Sequence, residues 1–120
     1  MPAMPRLNVA LLLLVLGALP AYAADPAADP VRLTLKDHRF VPDQITVPAG
    51  ERFKIEVVNE DDTPEEFESH DLKVEKIVTA GGKITLSVGP LKPGTYRFVG
   101  EYHEDTATGT IVAAETPTKE

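Results

Sequence analysis

The chain has 120 residues, enough for one domain with its own hydrophobic core and too few for two domains of ordinary size. Its formal net charge is −7, which argues against nucleic acids and anionic membranes as partners and in favour of cations. Cysteine is absent, so the sequence excludes disulfide bonds, thiolate nucleophiles and thiolate metal centres.

Residues 1–23 show the three-part pattern of a secretory signal peptide. Arg6 supplies the positive charge, Val9–Leu16 is the apolar run, and Ala21-Tyr22-Ala23 is a small-x-small cleavage site. The apolar run is shorter than the roughly 20 residues of a membrane helix, and the complete cleavage pattern argues against the alternative of a short anchor. We therefore predict export to the periplasm, a mature chain that starts near Ala24, and no membrane insertion after cleavage. Losing the leader would change the net charge from −7 to −8 and remove both methionines.

The remaining sequence predicts a linker at residues 24–30, one domain at residues 31–114 and a flexible tail at residues 115–120. Short segments in which apolar and polar residues alternate recur along the domain, as is typical of half-buried strands, and Gly, Pro and Asx turns separate them. These segments lie at residues 31–37, 44–48, 52–58, 83–88 and 94–100 and near residue 110, with another at 65–78 for which a helix is the alternative. About seven short strands of this kind predict an all-β fold, an antiparallel β-sandwich.

The first group of candidate ligands follows a polar turn at residues 59–64. On a strand, Glu66, Glu68 and His70 would share one face, while Glu65 would share the other face with Phe67. Because Phe67 is expected in the core, Glu65 would be an inward carboxylate, which needs a cation, a hydrogen-bond donor or nearby water. The alternative is that these acids only keep a sheet edge soluble.

The second group lies in the loop after residue 100 and contains Glu101, His103, Glu104 and Asp105. Imidazole and carboxylate groups together suit Fe, Mn, Zn or Cu(II), although a single His in a loop is more often only exposed. If the sandwich brings both groups to one end, a metal site becomes the better interpretation. His38 is a weaker candidate, because Arg39 follows it.

The sequence contains neither a nucleophile beside a base nor a Gly-rich phosphate loop. Ser69 and Ser87 lie outside any elbow motif. No hydrolase or nucleotide-dependent activity is therefore predicted, and oxidation of ferrous iron is the one enzymatic role left open.

Two runs resemble the cupredoxins, specifically the EfeO-type cupredoxin-like domain. They are FVPDQITVPAGERFKIEVVNEDDTPEEFE at residues 40–68 and LKPGTYRFVGEYHEDTATGTIV at residues 91–112. The shared sequence motifs are F-x-P before I-x-V-x-x-G, then N-x-D-x-T-P, P-G-x-Y-x-F and G-T-I-V. The resemblance implies a cupredoxin-like Greek-key β-sandwich over nearly the whole predicted mature chain.

The ligands of a blue-copper centre are mostly missing from the places where this family has them. Glu65 occupies the position at which the family has a His after N-x-D-x-T-P, and Gly100 occupies the position of the family's Cys. The family's Met is replaced by another residue within residues 106–108. The next His is present as His103. The resemblance therefore implies that the type 1 centre is lost, and with it the electron transfer that depends on the thiolate.

The E-F-E-S-x-D-L pattern at residues 66–72 is similar to small periplasmic components of ferrous-iron uptake, including FtrB-like proteins. That similarity implies an iron ion, with copper as a second possible cofactor, and an inner-membrane iron permease or other uptake components as partners. The alternatives are a Cu(II) carrier or copper-resistance protein, and a docking module that binds no metal. Two site geometries stay open, Glu65 with His103 or an outer face with Glu66, Glu68 and His70. The candidate metal ligands are His103, Glu66, Glu68, Glu65, His70 and Glu101.

Overall fold

Alternation of apolar and polar residues places one face of each strand against the other sheet of a β-sandwich. A computed structural model describes residues 29–116. The predicted leader, nearly all of the predicted linker and most of the predicted tail lie outside these residues. Within residues 29–116, no helix is long and apolar enough to cross a membrane.

Nine strands form the two sheets, two more than predicted from the sequence. The strands are β1 (Val31–Lys36), β2 (Arg39–Val41), β3 (Gln44–Pro48), β4 (Phe53–Asn59), β5 (Glu65–Ser69), β6 (Val74–Val78), β7 (Lys83–Val88), β8 (Gly94–Gly100) and β9 (Thr108–Ala114). A 3-10 helix, Glu101–His103, follows β8. One sheet has the order β2-β1-β4-β7 and the other β3-β9-β8-β5-β6, so the chain crosses repeatedly between them and the predicted all-β Greek-key sandwich is confirmed.

The expectation of a purely antiparallel sandwich was wrong at two strand pairs. β1 runs parallel to β4, and β3 runs parallel to β9. Between β1 and β4, and between β3 and β9, the chain crosses to the other sheet before it returns. No tight hairpin therefore joins the paired strands, and they can run parallel. Alternation in the sequence shows which residues face inward but carries no information on the direction of a strand's neighbour.

The helical alternative for residues 65–78 was also wrong, since this segment forms the antiparallel pair β5–β6. Lys73 has a φ of 59° and turns the chain between the two strands. Ile77 is 50% exposed, whereas Val78 next to it is fully buried. The pairing of Val78 with the inward residue Glu65 sets this orientation.

Three aromatic rings fill the middle of the core. Phe67 stacks on Phe98 with ring centroids 5.2 Å apart, and Phe40 meets both rings edge-on. Aliphatic side chains from both sheets surround these rings: Leu33, Leu35, Ile45, Val47, Ile55, Val57, Val78, Leu86, Val88 and Ile111. Phe67 thus connects the core to β5, the strand that carries three of the six candidate ligands, Glu65, Glu66 and Glu68.

Replacing Phe67 by alanine is expected to lower the free energy of unfolding by about 3–5 kcal/mol, because a fully buried aromatic ring is lost and a cavity remains. Ile77→Ala on the neighbouring strand is the matched control, and it should change the free energy by no more than about 0.5 kcal/mol. Urea unfolding of both variants measures the difference. Equal losses in the two variants would contradict the orientation described for β5 and β6.

Candidate functional site

The predicted ligand groups converge at one end of the sandwich. β5 begins there with Glu65, and β8 ends there at Gly100, with Phe67 and Gly100 directly paired. The 3-10 helix continues from β8 and lies against β5. The sequence prediction that both groups meet at one end therefore agrees with the geometry of the fold.

A buried hydrogen-bonded pair, Glu65 and His103, joins the two groups. Glu65 is only 2% exposed, and its Oε2 lies 2.6 Å from Nδ1 of His103. A carboxylate can only accept hydrogen bonds, so Nδ1 is the donor in this pair. The other oxygen, Oε1, accepts from the backbone N–H groups of Tyr102 at 2.8 Å and Glu66 at 3.0 Å. The inward carboxylate expected from the alternation is thus present, and protein donors satisfy it.

His38 also belongs to this end, although the sequence analysis gave it little weight. Its ring stacks on His103 with centroids 3.6 Å apart and an interplanar angle of 13°. Arg39 argued against His38 only as a neighbour in sequence: it begins β2, where it is exposed and the following residue, Phe40, is buried. The turn between β1 and β2 is what presents the imidazole to His103, and no sequence motif signals that contact.

The turn that carries His38 has an unusual backbone. Asp37 and His38 both have positive φ, 54° and 59°, a conformation that costs free energy in residues other than glycine. Asp61 holds it by accepting from both backbone N–H groups, at 2.7 and 2.9 Å. Burial alone would raise the pKa of Asp61, but these two donors lower it below its usual value. Thr106 adds a hydrogen bond from Oγ1 to the His38 carbonyl at 2.6 Å.

The residues at this end do not fit a thiolate copper centre. A Cβ atom built on Gly100 would lie 2.7 Å from Cδ and 2.8 Å from Oε2 of Glu65, and 2.8 Å from Cβ of Ala107. The carboxylate therefore fills the space into which any side chain at position 100 would project. Thr106 lies in the segment that replaces the family's Met, and its Oγ1 donates a hydrogen bond to the β1–β2 turn.

A second set of carboxylates lies on the outer face beside the buried pair, and we call it the acidic ridge. It consists of Glu66, Glu68, Glu75, Glu101 and Glu104. Ligand oxygens of Glu66, Glu75 and Glu101 all lie within 4.8 Å of one another, and so do those of Glu68, Glu101 and Glu104. Glu101 belongs to both groups, so the ridge is continuous.

The crowding of carboxylates on the ridge changes the pKa of Glu66. A hydrogen bond with Glu101, partial burial and the nearby Glu75 raise its pKa from 4.5 to about 7. Within residues 29–116, no Lys or Arg nitrogen lies within 4.0 Å of a ridge carboxylate. Elsewhere the chain does pair its half-buried acids: Glu56 contacts Arg32 at 2.7 Å and Lys83 at 3.5 Å.

The structure separates the predicted ligands into two places. Glu65 and His103 form the buried pair, whereas Glu66, Glu68 and Glu101 belong to the ridge. His70 lies at its margin, with Nε2 3.7 Å from Oε2 of Glu68 and a side chain that is 90% exposed. Their roles as ligands stay predictions.

The ridge also contains Glu75 and Glu104, which were not among the predicted ligands. Glu75 lies directly opposite Glu68 in the β5–β6 ladder, a position that depends on the strand register. That register could have been anticipated only by assuming a hairpin centred on residues 70–73. Glu104 was noted in the second ligand group, but nothing in the sequence singled it out there.

Comparisons with known proteins agree with the fold described above. A model of the Cupredoxin-like domain family matches residues 9–113. The uncharacterized protein RP394 of Rickettsia prowazekii (strain Madrid E) is 49% identical over 82 residues, which cover 68% of this chain and 66% of that relative, just under two thirds of its length.

Solved structures of amicyanin share the architecture at low sequence identity. Amicyanin from Paracoccus versutus (Thiobacillus versutus) superposes with a TM-score of 0.57 at 16% identity, over 75% of this chain and 86% of that chain. A Cu(I) structure of an amicyanin mutant gives 0.59 at 14% identity, over 74% and 87%. At such identities, the likeness shows the fold alone.

The raised pKa of Glu66 predicts how stability changes with pH. A carboxyl group whose pKa is higher in the folded state stabilises the fold fully below about 4.5, and this contribution is lost as the pH rises through about 7. The unfolding midpoint of the wild type minus that of Glu66→Gln should therefore fall as the pH rises from about 4.5 through about 7. Glu51→Gln is the matched control and should show no such trend. A flat difference for Glu66→Gln would contradict the crowding described for the ridge.

Proposed function

This chain belongs to the cupredoxin-like domain family, and on that premise we propose that it is an exported metal-binding protein. In this proposal the acidic ridge binds iron, as Fe(II) or Fe(III), in the periplasm and releases it to an inner-membrane iron permease. It is not a blue-copper electron carrier, because position 100 has no thiolate and its space is filled by Glu65.

The observation that carries the proposal is the convergence of five carboxylates on the ridge, none of which has a Lys or Arg nitrogen within 4.0 Å in residues 29–116. Like charges a few ångströms apart repel one another, and the system responds either by binding a proton or by binding a cation. Glu66 already shows the first response through its raised pKa, near 7. A divalent or trivalent cation would displace that proton and interact favourably with three carboxylates at once.

The donor set is compatible with iron, and the choice of iron rests on the resemblance of residues 66–72 to components of ferrous-iron uptake. Carboxylate oxygens suit hard or borderline cations, whereas Cu(I) prefers the sulfur ligands that the predicted mature chain lacks. Each of the two groups on the ridge supplies three protein ligands, which leaves coordination positions for water or for a receiving protein. An ion held on an exposed face in this way is accessible for transfer. Export is supported by the leader pattern at residues 1–23.

Cu(II) is the second candidate cargo, and His70 is the observation that favours it. Its imidazole lies beside Glu68 and is almost wholly exposed, so it could add a nitrogen ligand to the ridge. Most mixed nitrogen and oxygen sites bind Cu(II) more tightly than Fe(II). A copper carrier would use this imidazole, whereas an iron carrier would not need it.

An anaerobic calorimetric titration of the purified protein with Fe(II) tests the proposal. Glu66→Gln/Glu101→Gln should weaken binding about 100-fold, because each lost carboxylate ligand is expected to cost on the order of 1.4 kcal/mol. Glu51→Gln/Glu115→Gln, at the opposite end of the sandwich, removes the same charge and should leave the affinity within about threefold. Equal weakening in both double variants would show only a general charge effect. Absence of saturable binding in the wild type would favour the docking module.

His70→Ala separates the two cargoes in the same titration. If Cu(II) is the cargo, this variant should weaken Cu(II) binding about tenfold while Fe(II) binding stays unchanged. If the ridge is an iron site that does not use His70, the variant should bind both Fe(II) and Cu(II) as the wild type does. A loss of Fe(II) affinity in His70→Ala would contradict an all-carboxylate iron site.

A further inference from the structure

Glu65 connects two parts of the chain that are far apart in sequence. Its carboxylate accepts from Glu66 on its own strand, and from Tyr102 and His103 in the 3-10 helix after β8. These contacts span 37 and 38 residues of chain. Direct pairing of β5 with β8 is short, with Cα partners only at Phe67 and Glu68, so the carboxylate extends the contact between the two segments beyond the sheet.

We propose that Glu65 is a positioning residue, and that the Glu65–His103 pair is a permanent, metal-free cross-link of this end of the domain. The positions that the family uses for copper ligands come from the same two segments. In this chain a buried carboxylate and an imidazole hold those segments together directly, so this end is ordered without a metal ion.

The surroundings favour a permanent contact. Both oxygens of Glu65 have protein donors, and no buried polar side-chain atom in residues 29–116 lacks a partner. The stacked ring of His38 covers one face of His103, and the turn of His38 is itself fixed by Asp61 and Thr106. Moving the Glu65 carboxylate out of this position would leave Nδ1 of His103 and two backbone N–H groups without their acceptor, which is costly.

The cross-link has two consequences for metals. It occupies both oxygens of Glu65 and Nδ1 of His103, so a metal ion would have to displace these bonds to bind at any of these three atoms. It also holds the N–H of Tyr102, the residue after Glu101, and so sets Glu101 beside Glu66 and Glu68 on the ridge. The second consequence rests on the proposed function, whereas the cross-link itself does not.

Amide hydrogen exchange of the full chain in EDTA tests the cross-link. The N–H of Tyr102 should be protected in the wild type, and exchange at this amide should accelerate about tenfold or more in Glu65→Leu, where the acceptor is lost and the volume is kept. Glu65→Gln retains an oxygen acceptor and can donate to a neutral imidazole, so it should keep the wild-type protection. Amides of the β3–β9 pair are the internal control and should not change. Unchanged protection of Tyr102 in Glu65→Leu, or loss of protection in the EDTA-treated wild type, would overturn the proposal.

Imidazole nitrogen NMR of the wild type gives a second test that does not depend on a variant's folding. The His103 signals should show a hydrogen-bonded Nδ1–H in EDTA, and this N–H should persist when Zn(II) is added. Loss of the Nδ1–H signal on adding Zn(II) would overturn the cross-link. If Nδ1–H persists and the calorimetric titration shows no saturable metal binding, the proposed function fails while the cross-link is supported.

Discussion

A carboxylate placed inside a β-sandwich requires donors, and at this end of the molecule Glu65 obtains three of them from the backbone and from His103. That requirement determines the path of the chain after β8, because the 3-10 helix must bring an N–H and an imidazole to the same oxygen pair. It also requires glycine at position 100, since the carboxylate lies where a Cβ would be. Burial of one acid therefore fixes the local backbone and removes the space that a thiolate ligand would need.

The same arrangement separates two kinds of acidic residue along a single strand. β5 alternates, so Glu65 faces inward to hydrogen-bond donors while Glu66 and Glu68 face outward. Neighbouring elements then add Glu75 and Glu101 to the outer face, and within residues 29–116 no Lys or Arg nitrogen lies within 4.0 Å of these carboxylates. The inner carboxylate stabilises the end of the domain, and the outer ones are left crowded, as the raised pKa of Glu66 shows. Cation binding is the function that this crowding supports best.

The sequence was sufficient for features that depend on local alternation and insufficient for those that depend on pairing. The strands, the aromatic core and the inward position of Glu65 follow from period-two patterning, and the structure confirms them. Parallel pairing of β1 with β4, and the position of Glu75 opposite Glu68, depend on contacts between distant or turned segments that no short pattern encodes. His38 was undervalued for the same reason: its partner, His103, is distant in sequence and is reached only through a strained turn.

We propose that this cupredoxin-like domain binds its metal outside the position that the fold's copper ligands would occupy. Anomalous scattering from crystals grown with Mn(II), a redox-stable substitute for Fe(II), would locate the ion directly. We expect a peak bordered by Glu101 and its ridge neighbours, with the hydrogen bond between Glu65 and His103 intact. A peak bonded to Glu65 and His103, with that hydrogen bond broken, would contradict it.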